Sequence, residues 1–403
     1  RGGRSVERVA ACVEVMEHLC DTGHQRCGRL LAVREKQTVH LSLVDFSALF
    51  DATVEFANAT DRVCGRQRRQ TLRATLLAQA KGFLETLHVS NAGKLNALLD
   101  QEQWKQVDVP SPVQAMVNQC VRPNENWRGA GAASMLQEEG APPAKTISVD
   151  SERFFVVGVM VPLVKMLCDY LSCAAQLPAL GAEVVQRLLD LIKTFNDRSY
   201  QLVLFARAMQ SAGLKTITSK HLSLAAQCLS FLDALVPHLK AALRRILPDR
   251  QHVLLTELDR LSKDLVSHRE QVYTKLVGIM RDRVDHHCKS LASEAWNDAA
   301  ADGASNYVKG LVKELQALMR VMTSTLDKEA AQRLASSTAQ AVAQRLQQHL
   351  SRLPLTTAVS QHRVVADVAY LSAAFSQLEG VSVSESNLQA LTSFCQTLSA
   401  FRE

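Results

Sequence analysis

QHVLLTELDRLSKDLVSHREQVYTKLVGIMRDRV, residues 251–284, decides the fold class. Leu254, Leu258, Leu261 and Leu265 recur every three or four residues, and Val272, Leu276 and Ile279 continue the interval. That period lays one apolar stripe along a helix and leaves the charged residues on the other faces. The spacing predicts a long helix from about Gln251 to Ser293, started by the break at Pro248. Its heptads drift after about three turns of the pattern, so a sustained coiled coil is not expected there.

The same interval extends outward in both directions. Val6, Val9, Val13, Met16 and Cys20 follow it, as do Val364, Val368, Leu371, Phe375 and Leu378. The last set, Leu388, Leu391, Phe394, Leu398 and Phe401, predicts a terminal helix held by burial of Leu391. No stretch shows a persuasive period of two. Pro178, Pro248 and Pro354 fall between periodic runs, Gly213 suits a left-handed helix end, and Thr218 or Ser219 suits the next N-cap. Short connections between such helices make neighbours antiparallel. The expected class is therefore all-α, an elongated stack of antiparallel helical bundles. Residues 118–150, rich in Gly, Pro, Ala and polar residues, read as a flexible linker. The division is an N-terminal helical block 1–117, the linker, a middle bundle 151–248 and a C-terminal bundle 249–403.

Composition narrows the function classes. With 17 Gly and 10 Pro in 403 residues, helix breakers are scarce. The net charge of +6 divides into +2 for residues 1–117, −1 for 118–150 and +5 for the remainder, so no basic pole marks a nucleic-acid binder. Arg62, Arg66, Arg68, Arg69 and Arg73 form the densest basic cluster, readable as a solvated helix face or as a contact for an acidic partner or membrane. Ten cysteines lack a paired pattern, as in a reducing compartment. The most apolar run, Phe154–Val164, is far shorter than the ~20 residues of a spanning helix and reads as a buried helix. A chain opening at Arg1 reads as a fragment of something longer.

Chemical motifs are weak. His18, Cys20, His24 and Cys27 are zinc-ligand types at spacings that match no paired knuckle, and adjacent His286, His287 and Cys288 point different ways around a helix. Gly213-Leu214-Lys215-Thr216 lacks the earlier glycine, the Gly-Lys step and the preceding strand of a phosphate loop. No nucleophile elbow, paired zinc histidines or calcium loop is present. No catalytic residue, cofactor, metal, nucleic acid or small-molecule substrate is expected.

Three blocks carry a family resemblance. FNDRSYQLVLFARAMQSAGLKTITSKHLSLAAQCL (195–229), LNALLDQEQWKQVDVP (95–110) and LLTELDRLSKDLVSHREQVYTKLVGIMRDRV (254–284) resemble the vacuolar protein sorting-associated protein fifty-four family, the last block most closely its plant-type members. The family's Leu-Asp-x-Glu-x-Trp pattern maps onto Leu99 to Trp104, and its Phe-Asn-x-Arg pattern onto Phe195 to Arg198. Similarity runs from about Leu30 to the end. The resemblance implies the C-terminal segment of a subunit of the Golgi-associated retrograde protein tether, a rod that holds endosome-derived carriers at the trans-Golgi network before fusion. It implies companion subunits bound through N-terminal coiled regions absent here, SNARE and small-GTPase partners, and peripheral association with Golgi or endosomal membranes from the cytosol. Two alternatives stand beside it, a related tether of the recycling or exocyst type and a helical adaptor that binds membranes directly. Candidate partner contacts are Trp104, Asn196, Arg198, Lys215 and Lys220. Each has a plainer reading: core packing for Trp104, capping or internal pairing for Asn196 and Arg198, and solvation for the lysines.

Overall fold

A computed structural model describes residues 2–64, 70–122, 142–205, 207–293, 296 and 303–400. Among these the helices are α1 (Gly2–Val33), α2 (Glu35–Thr38), α3 (Leu43–Cys64), α4 (Gln70–Gln101), α5 (Ser111–Val121), α6 (Met160–Gln176) and α7 (Gly181–Val203). They continue as α8 (Ala208–Ser211), α9 (Ser219–Ile246), α10 (Thr256–His287), α11 (Asn306–Thr325), α12 (Lys328–Leu350), α13 (Ala358–Ser376) and α14 (Gln389–Ala400). One hairpin, β1 (Ile147–Val149) and β2 (Glu152–Phe154), lies between α5 and α6.

Helix starts follow local chemistry. Thr218 accepts from the His221 backbone N–H at 3.4 Å while the His221 ring accepts from the Thr218 N–H, so a reciprocal cap opens α9. Asp327 caps α12 through the Ala330 N–H at 2.8 Å, and Thr357 with Ser360 does the same for α13. Gly213 has φ +67°, the left-handed turn predicted for it. The long helix predicted over 251–293 is α10 flanked by 3-10 turns at Asp249–Leu255 and Cys288–Ser293.

Helix pairing advances along the chain. α1, α3 and α4 pack together; α4 meets α6 and α7; α6 and α7 meet α9; α9 and α10 meet α11; α12 and α13 meet α14. Each helix buries its stripe on near neighbours, so the stack grows lengthwise. One hydrophobic core nonetheless runs unbroken from Phe46 to Leu391, and a small second one joins Leu31, Ala57, Leu72 and Leu76. Leu391 is fully buried; Phe401 lies outside the described residues.

Two expectations need correction. The apolar run Phe154–Val164 is not one helix. Phe154 ends β2, Val157 bridges to Gln106, and the helix begins only at Met160. The β-branched Val156 and Val157 favour extended backbone, and Gly158 divides them from α6. The hairpin leaves no mark in the sequence pattern, because two three-residue strands are too short to show a period. It turns at Asp150, φ +50°, and buries Ile147 and Val149. Gln114 of α5 stands in for a further strand at Ser148, accepting its N–H at 2.8 Å and donating to its carbonyl at 2.9 Å, which satisfies an edge that would otherwise stay open. The ends of the 118–150 segment are thus structured: Cys120 is buried in α5 and Ile147 in β1. Residues 123–141 lie outside the described residues.

Candidate functional site

The three motif blocks meet around α7. α4 ends at Gln101, and the chain turns sharply at Trp104, φ +52°. Glu102 holds that turn. Its carboxylate accepts the Trp104 N–H at 3.0 Å and the Val159 N–H at 2.8 Å, so one side chain ties the end of α4 to the start of α6. Burial raises the Glu102 pKa, and the N–H donors of Val159, Trp104 and Gln103 oppose that rise. Gln103 donates to the Ala212 carbonyl at 2.7 Å and fastens the loop before α9 to the same corner.

α7 faces both ways. Arg198 forms an ion pair with Asp100 on α4. Asn196, buried, accepts a hydrogen bond from Nδ1 of His268 on α10 at 2.9 Å. That fixes the His268 tautomer and leaves Nε2 buried without a partner. Burial pushes the His268 pKa down to about 4. The Tyr200 ring stands edge-on to His268 with centroids 5.0 Å apart, and its hydroxyl donates to Gln271 at 2.7 Å. Phe195 fills the core beneath. Asp100, Glu102 and His268 lie inside the quoted blocks, but nothing in one sequence says that they pair with Arg198, Val159 and Asn196 across gaps of 57 to 98 residues.

The candidate contacts therefore separate. Trp104 is fully buried and packs in the core, as in the plainer of its two readings. The turn at Glu102 forces the indole inward, where its apolar area is removed from water. Asn196 and Arg198 are occupied by His268 and Asp100. Lys215 and Lys220 are exposed, and Lys220 lines a surface depression floored by Trp104. In the arginine cluster, Arg73 binds Asp61 at 2.7 Å and Asn58 at 2.9 Å; Arg66, Arg68 and Arg69 lie outside the described residues.

The remaining motif residues also have ordinary partners. His24 is buried with Nε2 at 2.6 Å from the Thr60 hydroxyl. His287 faces Glu314 at 3.3 Å, and burial pushes the Cys288 thiol up to about 12. No group of three or more His, Cys, Asp or Glu side chains is placed to hold a metal among the described residues. One described helix, α9, has the length and apolarity to cross a membrane, and 78% of its apolar window is buried within this chain.

Stacked helices whose signature side chains lock one helix to the next make this an all-α helical-bundle rod. Residues 151–283, from β2 through α10, match the family model described as Vps54-like protein. The chain is 26% identical over 440 residues to vacuolar protein sorting-associated protein 54, chloroplastic, of Arabidopsis thaliana, covering 92% of this chain and 42% of that one. It is 30% identical to vacuolar protein sorting-associated protein 54 of Rattus norvegicus over 381 residues and to that of Homo sapiens over 383, covering in each case 93% of this chain and 38% of the relative. The chain belongs to the Vps54 family of vacuolar protein sorting proteins, and it spans about two fifths of the length of these curated relatives.

Proposed function

We propose that this chain is the helical rod of a non-enzymatic vesicle-tethering subunit acting in retrograde transport from endosomes to the trans-Golgi network. In this reading it works on the cytosolic face of those membranes as a peripheral component, with companion tether subunits, SNAREs and small GTPases as partners. The observation that carries the reading is the Vps54-like match over residues 151–283, which coincides with the helices that Asn196 and His268 lock together. Stiff coupling along a rod suits a part that must hold two membranes at a set distance.

Affinity purification of the full-length protein, with identification of what co-purifies, tests it. Companion subunits of one complex are the expected result; a full-length protein that purifies alone from intact cells overturns the proposal. The division into blocks 1–117, 151–248 and 249–403 around 118–150 belongs to the same proposal. Limited trypsin digestion is expected to cut first at Arg122 or Arg128, since the Gly- and Pro-rich stretch between α5 and β1 has no apolar stripe to offset roughly 1–2 kcal/mol of ordering entropy per residue. First cuts within 254–284 would instead place the weak point in the rod.

A further inference from the structure

The depression above Trp104 has a volume of about 640 Å³ and gathers three lysines against one carboxylate. Lys105 follows the turn of α4, Lys145 precedes β1, and Lys220 is the second residue of α9. These three residues, 40 and 75 positions apart in sequence, line one concavity. All three are exposed, and none of their ammonium groups has a hydrogen-bond or ion-pair partner among the described residues. The acidic residue in the lining is Asp108 alone. His221 sits among them: burial lowers its pKa, and the nearby charges of Lys105 and Lys220 lower it further. Other exposed lysines, Lys215 and Lys275 among them, also form no ion pair among the described residues; what sets these three apart is that they line one concavity.

The floor is apolar. Trp104 is fully buried, lines the depression, and its indole N–H has no acceptor. An excess of positive charge around a concavity focuses potential on a small volume. Lysine binds phosphate as a point charge. An extended acidic peptide would follow a linear track of cations. Three lysines brought to one hollow suit a compact group that carries several charges on a small frame.

We infer that this depression binds a phosphorylated polyol, an inositol ring bearing two or more phosphates, either as a lipid headgroup or as the free sugar phosphate. The inference goes beyond the tethering role and stands on the depression alone, so co-purification of companion subunits and the binding measured below can fail separately. Inositol trisphosphate is titrated into the full chain, with flotation on phosphatidylcholine vesicles containing phosphatidylinositol bisphosphate as a second arm. Saturable binding is expected, weakening as salt rises. The triple variant Lys105→Gln, Lys145→Gln, Lys220→Gln is expected to lose about a hundredfold in affinity, roughly fivefold per lysine. Unchanged circular dichroism verifies its fold, and Lys275→Gln, a charge loss elsewhere on the rod, is expected to bind like the parent. Flotation together with binding identifies the lipid as the source; binding without flotation identifies the soluble phosphate. Absence of saturable binding, equal binding by the triple variant, equal flotation on phosphatidylserine vesicles of matched charge, or tighter binding of a singly phosphorylated peptide would each overturn the inference.

Discussion

α1 and α9 are long helices, 32 and 28 residues, with the same three-to-four apolar interval and opposite surroundings. α9 carries apolar residues on adjoining faces, and Leu224, Ala225, Ala226, Cys228, Leu229, Phe231 and Leu232 are all buried among α6, α7, α10 and α11. α1 has a narrower stripe. Its second half packs on α3 and α4, where His24 and Leu31 are buried and Gly23 lets the Phe56 ring approach so closely that a Cβ would come within 3.0 Å. Its first half leaves Val13, Val15, Met16 and Leu19 exposed. The difference teaches that period assigns a helix its inner face, whereas width of the apolar arc and position in the stack decide whether anything covers it.

The largest expected effect lies in α9. Phe231→Ala removes a fully buried ring that meets Phe154 edge-on at 6.0 Å, and should cost about 3–5 kcal/mol. Urea unfolding of the chain measures it, and a loss below about 1 kcal/mol would mean that α9 is no better buried than α1.

The second effect sharpens the contrast through pH. His268 titrates near 6.5 when unfolded and at about 4 when folded, so between those values the unfolded chain binds the extra proton. Stability is full above pH 6.5 and falls as pH drops toward 4, by about 3 kcal/mol. Asp169, pushed up to about 6 by burial, titrates in part of that window with the opposite sign. The measure is therefore the difference between the parent and His268→Gln: the variant should lose the downward slope that one histidine contributes. Parallel curves would place His268 in contact with solvent.

A smaller effect is expected where α10 meets α12. Arg345 binds Asp285 through two bonds of 2.6 and 2.9 Å, His349 adds a third at 2.7 Å, and these bonds, Arg345 first, hold the Asp285 pKa down to about 2. Both side chains of the Arg345 pair are more than a third exposed, so solvent screening should keep the loss from Arg345→Ala well below that of Phe231→Ala. A thermal shift that vanishes in high salt would agree; one that persists would mean that packing, not charge, carries the contact.

The smallest effect returns to α1. Leu19→Ala and Met16→Ala should each change stability by no more than about 0.5 kcal/mol, because both side chains already face solvent. Losses above about 2 kcal/mol in the purified chain would break the comparison, by showing that this face is covered.

Much of the architecture was legible in the residues. Leu258, Leu261, Leu265, Val272 and Leu276 declare α10 by their interval, and all five are buried. Gly213 and Thr218 marked one loop and the helix after it, because left-handed backbone and an orphan N–H each select few residue types. Leu391 was readable as core from the terminal stripe alone. These are local signals, set by neighbours within about four positions along the chain.

What only the tertiary structure decided is long in range. The hairpin at residues 147–154 depends on Gln114 and on the docking of α5 and α9, which no short window contains. Trp104 looked like an anchor by residue type, and a turn held by Glu102 sends it inward. Asn196 and Arg198 belonged visibly to a motif, but their partners His268 and Asp100 sit 72 and 98 residues away. Lys105, Lys145 and Lys220 carry no shared pattern in the sequence and meet only once the chain has folded. Periodicity reports which face of a helix prefers to leave water; which residues then stand opposite it depends on the paths of other helices, and that is settled only when all of them pack.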